Sequence, residues 1–148
     1  MQTATDPKRF SRILVGVDDS EDAQLAFRYA MNRAKMDDSE LYIVSILENN
    51  EFNIYQALDK DFIHGKRDDL EQHMQGYVKV AKEFGIKKVK AVVAEGEPGE
   101  TIVKEVIPSV KPDLLVVGSL SKKGPRRYFG SQAAYMAKYA PISVMVVR

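Results

Sequence analysis

Residues 113–131 read DLLVVGSLSKKGPRRYFGS. The apolar run from Leu114 to Val117 has the length and β-rich character of a strand covered on both faces. It delivers the backbone to Gly118, a loop rich in Ser, Gly, Lys and Arg follows, and Gly130-Ser131 opens a second periodic segment. The stretch therefore predicts a strand, a loop and a helix start. At such a junction helix N-terminal amides, serine hydroxyls and a basic loop converge, which is what an anion such as a phosphate requires.

Working outward, Lys111-Pro112 stops a helical pattern carrying Ile102, Val103, Val106, Ile107 and Val110, and that pattern is entered through the turn EGEPGE after a strand at 89–94. Downstream, a helix is predicted over 131–139. Pro141 then introduces a last strand, ISVMVV, from Ile142 to Val147. At the front of the chain RILVGV, residues 12–17, reads as a strand closed by Asp18, Asp19 and Ser20. Ser20 or Asp19 suits the N-cap of a helix with Glu21 and Asp22 in its first turn and Ala23, Ala26, Phe27, Ala30 and Ala34 on one face. LYIVSIL, residues 41–47, is a second buried-type strand. Residues 48–59 fit either a loop or a short helix. A long helix then runs to Phe84 with Leu70, Met74, Tyr77, Val78 and Ala81 inward and Gly85 as its C-terminal cap.

Strands alternating with helical segments five times over predict a parallel sheet with helices on both faces. Right-handed crossovers leave few topologies. A chain that winds one way through three strands and returns to add two beside the first gives an α/β fold, a three-layer α/β/α arrangement whose five-stranded parallel sheet has the order 3-2-1-4-5. Ligands in such sheets sit at the carboxyl ends of the strands where the order reverses, here between Asp18-Asp19 and Gly118-Ser119.

A chain of 148 residues with 45% hydrophobic and 29% charged residues matches one compact domain. The expectation is a frayed leader over residues 1–10 and a single domain over 11–148. The 22 basic and 21 acidic residues leave a net charge of +1, which gives no reason to expect nucleic acid or anionic membrane as a partner. The absence of cysteine excludes disulfides, thiolate metal sites and a cysteine nucleophile. No signal-peptide pattern or membrane-length apolar run occurs, and a cytoplasmic protein is expected.

No G-x-x-x-x-G-K-[ST] follows a strand and no G-x-G-x-x-G follows the first one, which argues against ordinary P-loop and dinucleotide chemistry. His64 and His73 lack the carboxylate spacing of a metal set and read as surface or packing residues. Taken in order, ILVGVDDSEDAQLAFRYA, LYIVSIL, EGEPGETIV, LLVVGS, the later Gly-Ser pair and PISVMVVR resemble the universal stress protein family, of the adenine nucleotide α-hydrolase-like fold, over nearly the whole chain.

The resemblance implies a stress-response protein with ATP, or another adenine nucleotide, as a regulatory ligand, and Mg²⁺ accompanying it. Nucleotide-binding members carry G-x-x-G-x9-G-[ST] after the fourth strand. Gly118 matches the first glycine and Gly130-Ser131 the last pair, but Ser121 stands at the second glycine and Gly130 lies twelve positions after Gly118, one fewer than the pattern. The implied binding residues are Val17, Asp18, Ile46, Gly118, Ser119, Ser121, Gly130 and Ser131, with Asp18 on the adenine or ribose side and Ile46 against the base. Lys122, Lys123, Arg126 and Arg127 either neutralise phosphates or form a solvated loop. Asp18 and Asp19 either help to hold the metal or serve as a helix cap and dipole complement.

The resemblance also implies homodimers through the last strand, and a stress-family dimer that binds no nucleotide is the competing reading. Nothing beside the proposed phosphates supplies a general base or nucleophile pair, so at most slow ATP hydrolysis is expected. A phosphorylated receiver domain also pairs two acidic residues after strand one, but it needs an Asp after strand three and a Lys after strand five, where this chain has Ala94-Glu95 and Val147-Arg148.

Overall fold

A computed structural model of the chain describes residues 9–18, 20–48, 52–119 and 130–148. Strands β1 Arg12–Gly16, β2 Glu40–Leu47, β3 Val89–Glu95, β4 Leu114–Gly118 and β5 Ser143–Val147 form one sheet in the order β3-β2-β1-β4-β5. All four pairings are parallel, so the predicted topology holds. In the central strand Ile13, Leu14 and Val15 are fully buried, which is why its sequence runs apolar without alternation.

The helices are α1 Glu21–Asp37, α2 Ile54–Leu58, α3 Lys60–Phe84, α4 Pro98–Thr101, α5 Ile107–Val110 and α6 Ser131–Tyr139. On one sheet face α1 and α3 bring Ala26, Phe27, Ala30, Met74 and Val78 onto Ile13, Val15, Leu41 and Ile43. On the other, Ile102, Val106, Ala133 and Met136 pack on Leu14, Val44, Leu115 and Val117. These two cores make the three layers.

Local chemistry sets the helix ends. Ser20 is the N-cap of α1, its hydroxyl accepting from the Ala23 amide at 3.1 Å, and Gly85, at φ 111°, closes α3 as the sequence predicts. Residues 48–59, open between loop and helix, contain α2, held by a capping box in which Asn53 and Gln56 each accept from the other's backbone amide. The expected regular helix over 102–110 has instead a π turn at Ile102–Val106, and the Ile107 amide reaches back five residues to the Ile102 carbonyl. Pro108 explains it: proline lacks an amide proton and its ring crowds the carbonyl four residues earlier, and a widened turn relieves both.

Of the expected leader, residues 1–8 lie outside the described residues. Phe10 is fastened: its amide donates to Asp37 Oδ2 at 3.0 Å, its carbonyl accepts from the Ser39 hydroxyl, and the Arg33 guanidinium lies 5.5 Å from its ring centroid. Among the described residues no helix is long and apolar enough to cross a membrane.

Candidate functional site

Because β1 has β2 on one side and β4 on the other, the connections leaving β1 and β4 diverge, and a crevice opens at their carboxyl ends. A cavity of about 250 Å³ occupies it, and Val17, Asp18, Ile46, Gly118 and Ser131 line it. Five of the residues singled out in the sequence thus meet at one place. Val44, Ile102, Val117 and Met136 give the cavity an apolar wall, and Asp18 sits at its rim with Oδ1 accepting from the Ser20 amide at 2.8 Å.

Gly118 is required for packing. A Cβ there would lie 2.8 Å from the Ala23 nitrogen and from the Asp22 carbonyl carbon, so only glycine lets the first turn of α1 approach the end of β4. Ser119 does not line the cavity. It is a joint: its hydroxyl donates to Asp22 Oδ2 at 2.8 Å, its amide to the Val147 carbonyl at 2.8 Å, and its carbonyl accepts from the Gly130 amide at 2.7 Å. Gly130 is the N-cap of α6. Ser121, Lys122, Lys123, Arg126, Arg127 and Asp19 lie outside the described residues.

Two helix N-termini converge near this crevice, and their chemistry differs. The α1 end is already served, by the Ser20 hydroxyl and by Glu21 and Asp22 in the first turn. The α6 end has Gly130 as its cap, no side-chain cap and no acidic residue in its first turn. Its amides and the positive end of its dipole are therefore the ones available to an anion.

Gln132 went unnoticed in the sequence. It lines the cavity from the first turn of α6, accepts from the Gly99 amide at 2.7 Å and donates to Glu97 Oε2 at 3.3 Å, which ties α6 to the start of α4. Glutamine after Gly-Ser carries no local sign of such a partner. Asp18 and Glu48 are the carboxylates lining the cavity among the described residues, which contain no cluster of three or more His, Asp or Glu suited to a metal ion. The perturbed acids lie elsewhere: Glu40, at the amino end of β2, is held below the usual carboxylate range chiefly by its hydrogen bonds from Lys88 and Arg12.

The model of the universal stress protein family matches residues 9–148. The chain belongs to that family. A relative from Staphylococcus aureus (strain USA300) that carries the universal stress protein name is 30% identical over 140 residues, 94% of this chain and 84% of its own length. The universal stress protein UspA from Lactobacillus plantarum superposes with a TM-score of 0.83 at 26% identity, over 96% of this chain and all of that one. A universal stress protein solved with cAMP, 22% identical, matches with a TM-score of 0.70 over 95% of this chain and 98% of its own. Further structural neighbours hold dAMP, in the Archaeoglobus fulgidus protein, and AMP, in an Arabidopsis thaliana protein.

Proposed function

We propose that this universal stress protein binds an adenine nucleotide, ATP with Mg²⁺ foremost, in the crevice between β1 and β4 as a regulatory ligand. One observation carries the reading: a single cavity is lined by apolar side chains, by the Asp18 carboxylate and by Ser131 at a helix N-terminus that has no side-chain cap. Those three features answer a base, a ribose and a phosphate in turn. The adenine nucleotides in solved family members support it. Asp18 accepts from the ribose hydroxyls, Ile46 lies against the base, and Ser131 with the α6 amides receives phosphate. When present, Mg²⁺ offsets phosphate charge, and of the Asp18-Asp19 pair Asp18 is the described residue that would hold it. At most slow hydrolysis of the bound nucleotide is expected.

The test is calorimetric titration of ATP, with and without Mg²⁺, and of AMP, together with mass spectrometry of small molecules released on denaturing the purified protein. Saturable binding is expected, weakened about tenfold in Asp18→Asn by loss of a charged acceptor worth roughly 1.5 kcal/mol. Asn at that position retains an acceptor for the Ser20 amide. No released nucleotide and no saturable heat would overturn the reading.

The sheet edges favour a second feature, a homodimer through β5. The β3 edge is strapped by Arg67, whose Nη2 donates to the Val93 carbonyl at 2.9 Å while Nη1 pairs with Glu95 at 3.1 Å. β5 ends the other side of the sheet, bonded to β4 alone. An apolar edge of that kind pairs readily with a second copy. If the crevice takes no nucleotide, contacts of that dimer are what remain as the protein's means of action.

A further inference from the structure

We propose that Gln24 and Tyr77 are positioning residues of the crevice: together they fix the main chain at Asp18 so that its carboxylate meets the ribose hydroxyls of the nucleotide. The proposal rests on the nucleotide reading and adds two residues to it, neither of which lines the cavity between β1 and β4.

Asp18 lies where the sheet stops holding the chain. The Val17 amide still donates to the Val44 carbonyl of β2 at 2.9 Å, and α1 begins only at Glu21. The bond from the Ser20 amide to Asp18 Oδ1 orients the side chain. A second bond holds the peptide that carries it: among the described residues the Asp18 carbonyl has Gln24 Nε2 as its donor, at 3.1 Å. Gln24 stands one turn into α1, with its own amide donating to the Ser20 carbonyl at 3.1 Å, so the donor is carried on a rigid element.

Gln24 is exposed, and an exposed glutamine left to itself samples several rotamers. Tyr77 removes that freedom. The same Nε2 gives its other proton to the Tyr77 hydroxyl at 2.6 Å, across 53 residues of chain. A carbonyl can only accept, so it is the nitrogen of the Gln24 amide that faces Asp18, and both of its protons are then placed. The Tyr77 ring is itself held, edge-on to the buried Phe27 at 5.0 Å between centroids and to His73 at 5.7 Å. Rings of α1 and α3 thus hold the phenol, the phenol holds the amide, and the amide holds the Asp18 carbonyl. A carboxylate fixed in this way before the ligand arrives spares binding the cost of ordering it.

The test is calorimetric titration of the full chain with AMP and with 2′,3′-dideoxy-AMP, which lacks the ribose hydroxyls. Gln24→Met keeps length and helix propensity and removes both donors. It is expected to weaken AMP about threefold, the lower part of what one hydrogen bond contributes because water competes at an exposed site. It should leave dideoxy-AMP affinity and the urea midpoint of unfolding unchanged. Tyr77→Phe should weaken AMP by a smaller factor, and the double variant should bind no more weakly than Gln24→Met alone, since the two act through one chain of bonds. The proposal is overturned if Gln24→Met binds AMP as the wild type does, if it weakens both ligands equally, if its urea midpoint falls with its affinity, or if the two losses add. Each of those results leaves wild-type AMP binding, and with it the nucleotide reading, in place. No saturable heat from AMP with the wild type would overturn that reading and the proposal together.

Discussion

Ser119 donates its hydroxyl proton to Asp22 at 2.8 Å, across 97 residues of chain, and this bond seats the first turn of α1 against the end of β4. Gly118, the residue before it, has no space for a side chain on that side. Gly118→Ala should therefore lower the urea midpoint of unfolding, by the equivalent of about 1–3 kcal/mol, because the atoms it would strike are backbone and cannot swing aside. A midpoint equal to wild type would show that α1 is free to shift. Loss of ligand in this variant would follow from the packing and would not by itself report on the nucleotide.

Gln132 holds α6 to α4 through the Gly99 amide at 2.7 Å. Gln132→Ala leaves that partly buried donor without its acceptor, at a cost of about 1 kcal/mol. The cavity walls contributed by Pro98 and Ile102 lose their tie to the anion-binding end of α6. Thermal unfolding should show the loss of stability, and AMP titration by calorimetry should show affinity reduced several-fold. Unchanged affinity would make the bond a matter of stability alone.

Asp37, buried at the end of α1, responds to acid with a definite sign. Burial pushes its carboxyl up, but the Phe10 amide and Arg33 outweigh that and leave it below its ordinary value. A folded-state value below the unfolded one means the contribution is fully present above the unfolded carboxylate range. It is lost as pH falls from about 4 through the lower folded value. Urea midpoints of Asp37→Asn, measured from neutral pH downward, should be lower than wild type at neutrality and converge with it in acid. Parallel curves would contradict the assignment.

Val146 is half-buried on β5, packed against the core beneath α6 with part of its surface free. A lysine there can lay its stem along the apolar surface and put its charge at the sheet edge. Val146→Lys is expected to convert a dimer to monomer in light scattering with its circular dichroism retained. A persistent dimer mass would place the interface elsewhere.

The strands, their parallel pairing and the order of the sheet were legible because they rest on local patterns: apolar runs, caps and turn residues whose meaning depends on immediate neighbours. Gly85 closes α3 and Ser20 opens α1 by chemistry that is complete within a few residues. The same patterns placed Asp18 and Gly118 at one crevice, since topology brings strand ends together whatever the side chains do there, and the family resemblance added Val17, Ile46 and Ser131. Periodicity fails where the deciding partner is distant. It places Gln132 in a first helical turn without showing Gly99 beside it. Ser119 read as a ligand hydroxyl is turned in the structure to Asp22. For this protein, then, sequence alone determined the elements and the end of the sheet where a site can form. Tertiary structure decided which groups there are already satisfied by each other and which stay open to a ligand, because a hydrogen bond is spent on whatever partner packing brings within reach.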